Sequence, residues 1–167
     1  LYFFIQLIKF LSSKSIEPIT LANSRPSLLI RIEVGIPLNE NVFANVSGDN
    51  FYAHMDETSL DGTIFEERVA HGYFLLSKAA GLFVDPAKGP VLLNYGIDEC
   101  RFTKPVYVGA TIGVRFTVKE KIDQKKKDQE DIAKGIVKFL VDIYDETDET
   151  VGIATILTMV KKINQNK

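Results

Sequence analysis

Residues 69 to 84, VAHGYFLLSKAAGLFV, are apolar around nearly the whole circumference of a helix and are followed by no proline until Pro86. A helix on a protein surface shows one apolar stripe and one polar face. A segment with no polar face therefore predicts a buried helix of about four turns, starting near Val69, that other elements must enclose. Gly72 and Gly81 lie inside it, and each costs about 1 kcal/mol of helix propensity relative to alanine. They predict close backbone approaches that a side chain would block.

The enclosure is supplied downstream. VLLNYGIDECRF, TIGVRFTVKEKI, IVKFLVDIY and VGIATILTMV are strand-like runs rich in β-branched and aromatic residues. In the second, Ile112, Val114, Phe116 and Val118 alternate with Arg115, Thr117 and Lys119, as expected of a sheet buried on one face and open to solvent or a partner on the other. DQKKKDQED and DETDET separate the later runs as hairpin loops. Upstream, LLIRIEV (28–34) alternates as a half-buried strand, and NENVFANVSGD predicts a short helix turning Val42, Phe43 and Val46 inward before Gly48 reverses the chain. Strand, short helices, one long helix and about four antiparallel strands make an α+β arrangement.

At 167 residues, 46% of them hydrophobic, the chain fits one domain with a real core. A formal charge of -2 gives no basic field for nucleic acid or an anionic membrane surface. The single cysteine, Cys100, excludes an internal disulfide and favours a reducing, cytoplasmic setting. Two histidines without metal-ligand spacing predict no metal site. LYFFIQLIKFL contains Gln6 and Lys9 and is shorter than the ~20 residues of a membrane span, so no membrane association is expected. Residues 1–27 are left without a function, and a start at Leu1 reads as a chain trimmed or excised from something longer.

One short stretch stands out chemically. SGDNFYAHMDE (47–57) places Asp49 five residues before His54, one of only two histidines. An imidazole titrates near neutrality and can exchange protons with water at working pH, and a carboxylate can hold the same water. Taken alone, Asp49 after a glycine is equally a turn former or helix N-cap, and His54 a turn histidine satisfied by backbone.

This stretch, with ERVAHGYFLLSKAAGLFVDP and GPVLLNYGIDECRFTKPVYVGATIGVRFTVKEK, resembles the MaoC-like hydratases of the hot-dog superfamily. Within it the likeness is nearest to the hydratase domain of the phenylacetate-pathway oxepin-CoA hydrolase. The resemblance is densest from Val46 to Lys121 and thins toward Leu28 and Lys162, giving a hydratase domain over 28–167. The usual Asn-Pro pair between acid and histidine is replaced by Asn50-Phe51-Tyr52-Ala53, similar to the phenylacetate branch. Ala110 stands where the family commonly has Gly-Asp in a turn.

The resemblance implies a hot-dog fold, a long central helix wrapped by a curved antiparallel sheet, and a homodimer or higher homo-oligomer whose subunits together form an acyl-CoA tunnel. It implies an enoyl-CoA hydratase without a cofactor, since coenzyme A belongs to the substrate, and an aldehyde dehydrogenase as a fused or separate partner. Asp49 and His54 become the catalytic dyad, and Gly72 the main-chain donor to the thioester carbonyl at the positive end of the long helix. Two other functions stay open: a hot-dog thioesterase sending water to the carbonyl carbon, and a non-catalytic acyl-CoA-binding or dimerisation module. His71, in the first turn, reads as packed or locally hydrogen-bonded as readily as substrate-facing. Phe51, Tyr52 and Tyr73 read as core or pocket aromatics. Arg101, Lys104 and Lys125 to Lys127 are charges that coenzyme A phosphates would suit but that solvent accounts for equally. Cys100 reads as a small buried residue rather than a nucleophile.

Overall fold

A computed structural model describes residues 30–35, 41–83, 88–125 and 132–163 of the chain. Residues 1–27, Leu28 and Leu29, and residues 126–131 of the charged loop, with Lys126 and Lys127, lie outside the described residues. Five strands form one sheet: β1 (Ile30–Gly35), β2 (Val91–Phe102), β3 (Thr111–Asp123), β4 (Lys134–Tyr144) and β5 (Thr150–Lys161). Their spatial order is β1-β3-β4-β5-β2, every neighbouring pair antiparallel. Among the described residues, three α-helices lie between β1 and β2: α1 (Asn41–Ser47), α2 (Tyr52–Met55) and α3 (Gly72–Phe83), with a 3-10 turn at Glu57–Ser59.

The period-two pattern decides which sheet face is core. On β3, Ile112, Val114 and Phe116 are buried. Register sets Phe116 beside Val141 of β4, and Val141 beside Ala154 of β5, so one apolar row crosses three strands. Leu75, Leu76 and Ala79 of α3 pack on this face. Each large apolar side chain removed from water here contributes about 1.5–3 kcal/mol. The opposite face is closed at one end by Tyr144, 1% exposed, whose ring lies 3.8 Å from the Arg115 guanidinium. Arg115 is held there by Asp142 at 3.0 Å and by Asp148, and Gly113 leaves the space that the Tyr144 ring fills. A helix laid on an antiparallel sheet is the α+β hot-dog arrangement that the resemblance implied. No helix among the described residues is long and apolar enough to cross a membrane.

Four expectations are corrected. The long helix begins at Gly72, not near Val69. Val69 instead pairs as an antiparallel bridge with Tyr107, with the Ala70 N–H on the Val106 carbonyl (2.7 Å) and the Val108 N–H on the Arg68 carbonyl (3.2 Å), so this stretch runs extended beside a neighbouring segment until Gly72. Nor is α3 enclosed all round within one chain, because Tyr73 is 69% exposed. Gly81 has open space where a Cβ would stand, so only Gly72 answers to a close approach, and the neighbour is the Phe102 ring rather than backbone. Finally, α1 turns Phe43 and the fully buried Ala44 inward, while Val42 and Val46 face solvent at 67% and 83% exposure.

Candidate active site

The site grows from the junction between α1 and α2. Gly48 sits at φ +78°, a conformation other L residues rarely adopt, and its N–H closes α1 on the Ala44 carbonyl at 2.8 Å. This reversal delivers Asp49 to the surface. One Asp49 carboxylate oxygen accepts the Phe51 N–H at 3.2 Å, so the turn-forming role read from sequence is real, and it leaves the second oxygen available. The next residues wind into α2, which turns Ala53 into a small core with Leu60 and Val69 and sets His54 beside the extended strand of chain that precedes α3.

His54 Nδ1 lies 2.7 Å from the Val69 carbonyl oxygen. A carbonyl only accepts, so Nδ1 carries the proton, and neutral His54 presents Nε2 as a lone pair. The same residue therefore grips α2 twice, its N–H on Ala53 and its carbonyl on His54. Backbone satisfaction of His54, one of the two readings open in sequence, thus fixes the tautomer a general base requires.

Two residues beyond Val69, His71 is 1% exposed. Its ring stacks on that of His54 with centroids 3.9 Å apart and planes 27° from parallel, and its Nε2 donates to the Asp49 carbonyl at 2.9 Å. Phe43 of α1 also packs against it, with centroids 5.0 Å apart. A carboxylate oxygen of Asp49 and a ring nitrogen each from His54 and His71 all fall within 4.8 Å of one another. Two hydrogen bonds of about 2.8 Å meeting at a tetrahedral water span roughly 4.6 Å, a spacing that falls inside that limit. The same three groups lie close enough together to hold a metal ion, a proximity that the sequence spacing did not predict, although two of the four imidazole nitrogens already face carbonyls.

Gly72 follows His71 directly and opens α3. Its N–H belongs to the first turn, where a helix offers no carbonyl to receive it. A Cβ at this position would meet the Phe102 ring at 2.6 Å, so any larger residue would have to push that ring aside. Phe51 is 48% exposed and stands edge-on to His54 at 5.7 Å, with Tyr52 at 4.4 Å from Phe51. These two aromatics form an exposed surface beside His54 and are not core. Tyr73 is exposed too, edge-on to Phe102 at 6.0 Å.

The remaining candidates are accounted for elsewhere. Lys104 is bonded to Asp145 (2.6 Å) and Glu149 (2.5 Å), which neutralises the charge a phosphate would need. Arg101 and Lys125 are exposed. Burial pushes the Cys100 thiol up, against the pull of Arg101, which is the opposite of what a nucleophile needs. The Ala110 turn closes by a 3.2 Å bond from its N–H to the Tyr107 carbonyl without the Gly-Asp pair. Sequence reasoning missed the Val69 carbonyl, because a main-chain acceptor fifteen residues from His54 leaves no mark in residue type.

The chain is similar to several known proteins. The MaoC like domain matches residues 19–138. Protein MaoC of Klebsiella aerogenes is 58% identical over 79 residues, 47% of this chain and 24% of that protein. The (R)-specific enoyl-CoA hydratase of Rhodospirillum rubrum is 31% identical over 88 residues, 51% of this chain and 58% of that protein. The matched segments thus span less than two thirds of either relative. Among solved structures, a monoamine oxidase regulatory protein from Archaeoglobus fulgius superimposes with a TM-score of 0.73 at 25% identity, over 84% of this chain and 93% of that one.

Proposed function

The chain belongs to the MaoC-like domain family, and from that membership we propose that it adds water across the double bond of an α,β-unsaturated acyl-CoA thioester. The observation that carries this reading is the Nδ1–H bond of His54 to the Val69 carbonyl, with Asp49 within one water's reach. Water held between the Asp49 carboxylate and His54 Nε2 gives up a proton to Nε2 as its oxygen bonds to the β-carbon. The π electrons move toward the thioester, and the charge on its oxygen is met by the Gly72 N–H at the positive end of α3. The proton then passes from Nε2 to the α-carbon, so every atom of the water ends in the product. The same steps reversed dehydrate a 3-hydroxyacyl thioester.

The test is turnover of crotonyl-CoA by wild type, Asp49→Asn and His54→Gln, followed by loss of enoyl absorbance. Loss of a general acid–base group lowers kcat by about 10²–10⁴-fold. Equal turnover by all three folded proteins would remove the dyad, and release of free thiol would replace hydration by thioester hydrolysis.

A finer reading is supported by the Phe51-Tyr52 pair inside the motif: the substrate is a ring, the oxepin thioester of the phenylacetate branch, whose hydrated adduct opens to an aldehyde for a fused or separate aldehyde dehydrogenase. An exposed aromatic wall beside His54 suits a planar conjugated ring. Faster turnover of the oxepin thioester than of crotonyl-CoA is its expected signature.

The reading also includes a second copy of the chain. Edge strand β2 exposes Leu92, Leu93, Tyr95, Ile97 and Phe102 at 39–52%. A bare apolar edge of this kind invites pairing. Because Phe102 also roofs Gly72, a partner on β2 stands beside the N-terminus of α3.

A further inference from the structure

We propose that His71 is a positioning residue for this site, locking the Asp49 turn and the His54 ring into one register. The proposal builds on the dyad reading above, but its structural core stands on separate contacts. Residues 47–51 hold themselves by short-range bonds: Ser47 Oγ to the Phe43 carbonyl at 2.7 Å, the Asp49 N–H to Ser47 Oγ at 3.2 Å, and Asn50 Nδ2 to the Gly48 carbonyl at 3.2 Å. Bonds of this kind shape a turn without fixing it to the rest of the protein. Among the described residues, the one polar tie from this turn to a distant segment is His71 Nε2–H to the Asp49 carbonyl, 2.9 Å long and 22 residues apart in sequence.

His71 is suited to bear that load. Its own carbonyl receives the N–H groups of Phe74 (3.0 Å) and Leu75 (3.2 Å), so its backbone is anchored in the first turn of α3. Phe43 at 5.0 Å and the stacked His54 at 3.9 Å both pack against its ring. A buried polar ring costs free energy unless its hydrogen bonds are made, and an apolar side chain would fill this space without that cost. The imidazole instead joins three parts of the site: Asp49 by hydrogen bond, His54 by stacking, and Gly72 by the peptide bond. At 1% exposure it does not itself reach substrate, which separates it from a catalytic residue.

The experiment compares His71→Met, which fills the volume without a donor, with His71→Gln, whose amide reaches about as far as Nε2 and keeps one. For each, kcat and KM on crotonyl-CoA and deuterium uptake of residues 47–57 are measured. A misplacement near 1 Å costs about 10²-fold. The expected result is a kcat about 10–100-fold lower for His71→Met at a KM within about twofold of wild type. Uptake across 47–57 rises in that variant, and both values return to within a few-fold of wild type in His71→Gln. Should His71→Met not fold, His71→Phe keeps the stack, removes the donor, and is read the same way. Wild-type kcat and uptake in the donorless variant would overturn the proposal, as would a His71→Gln no better than His71→Met. If the wild type hydrates no enoyl thioester while the uptake pattern appears as expected, the positioning role stands and the hydratase reading falls.

Discussion

At the position of Gly72 two demands coincide, and they can be separated. The Phe102 ring would stand 2.6 Å from an added Cβ, and overpacking of this kind costs about 1–3 kcal/mol. Gly72→Ala is therefore expected to lower the urea midpoint and activity together. In Gly72→Ala with Phe102→Leu the clash is relieved and the midpoint recovers. Activity that stays low in this double variant marks the methyl as an obstacle to substrate, whereas full recovery leaves glycine with packing alone. The acid–histidine spacing was legible in the sequence because both residues lie within one turn and a four-residue helix. The carbonyls that hold the two histidines were not, since any residue type supplies one and only the path of the chain brings Val69 to His54 and Asp49 to His71.

Among the elements, the β4–β5 hairpin shows how the DETDET turn is built. Asp145 accepts from the Thr147 N–H (2.9 Å), the Thr147 hydroxyl (2.7 Å) and the Glu149 N–H (3.1 Å), while Lys104 reaches across from the segment after β2. The Lys104 ammonium and then the Thr147 hydroxyl hold the Asp145 carboxyl well below the usual carboxylate range, and Asp145 and Glu149 push the Lys104 amine up to about 12. A carboxyl depressed on folding adds stability above its unfolded value of about 3.9, and that contribution is lost as pH falls through the folded value. Lys104→Met is thus expected to lower the urea midpoint at neutral pH and to converge with wild type in strong acid. A gap of constant size across that range would refute the linkage. Strand positions were legible because alternation on β3 records which face is buried. The start of α3 was not, because long-range bonds from Val69 and Ala70 override a local pattern that looks helical throughout.

Across the whole molecule, the exposed apolar residues of β2 are surface that this chain does not bury, and the proposed function assigns them to a second copy. The sequence marked this run as a strand but could not place it at an edge, since strand order depends on the crossover from β2 through β5. Ile97, 52% exposed near the middle of β2, is the position to probe. Ile97→Lys puts a charge into that row and is expected to yield a monomer by sedimentation, with folding intact because the residue contributes little to the core of its own chain. A variant that sediments like wild type would assign the edge to something other than a second copy. Phe102 carries this further, since one face of its ring covers Gly72 while the side chain stays 41% exposed along the same row. Under the proposed function a residue placed in this way would tie catalysis to concentration: turnover per protomer is expected to fall once the protein is thinned below its self-association constant, and to return when it is concentrated again.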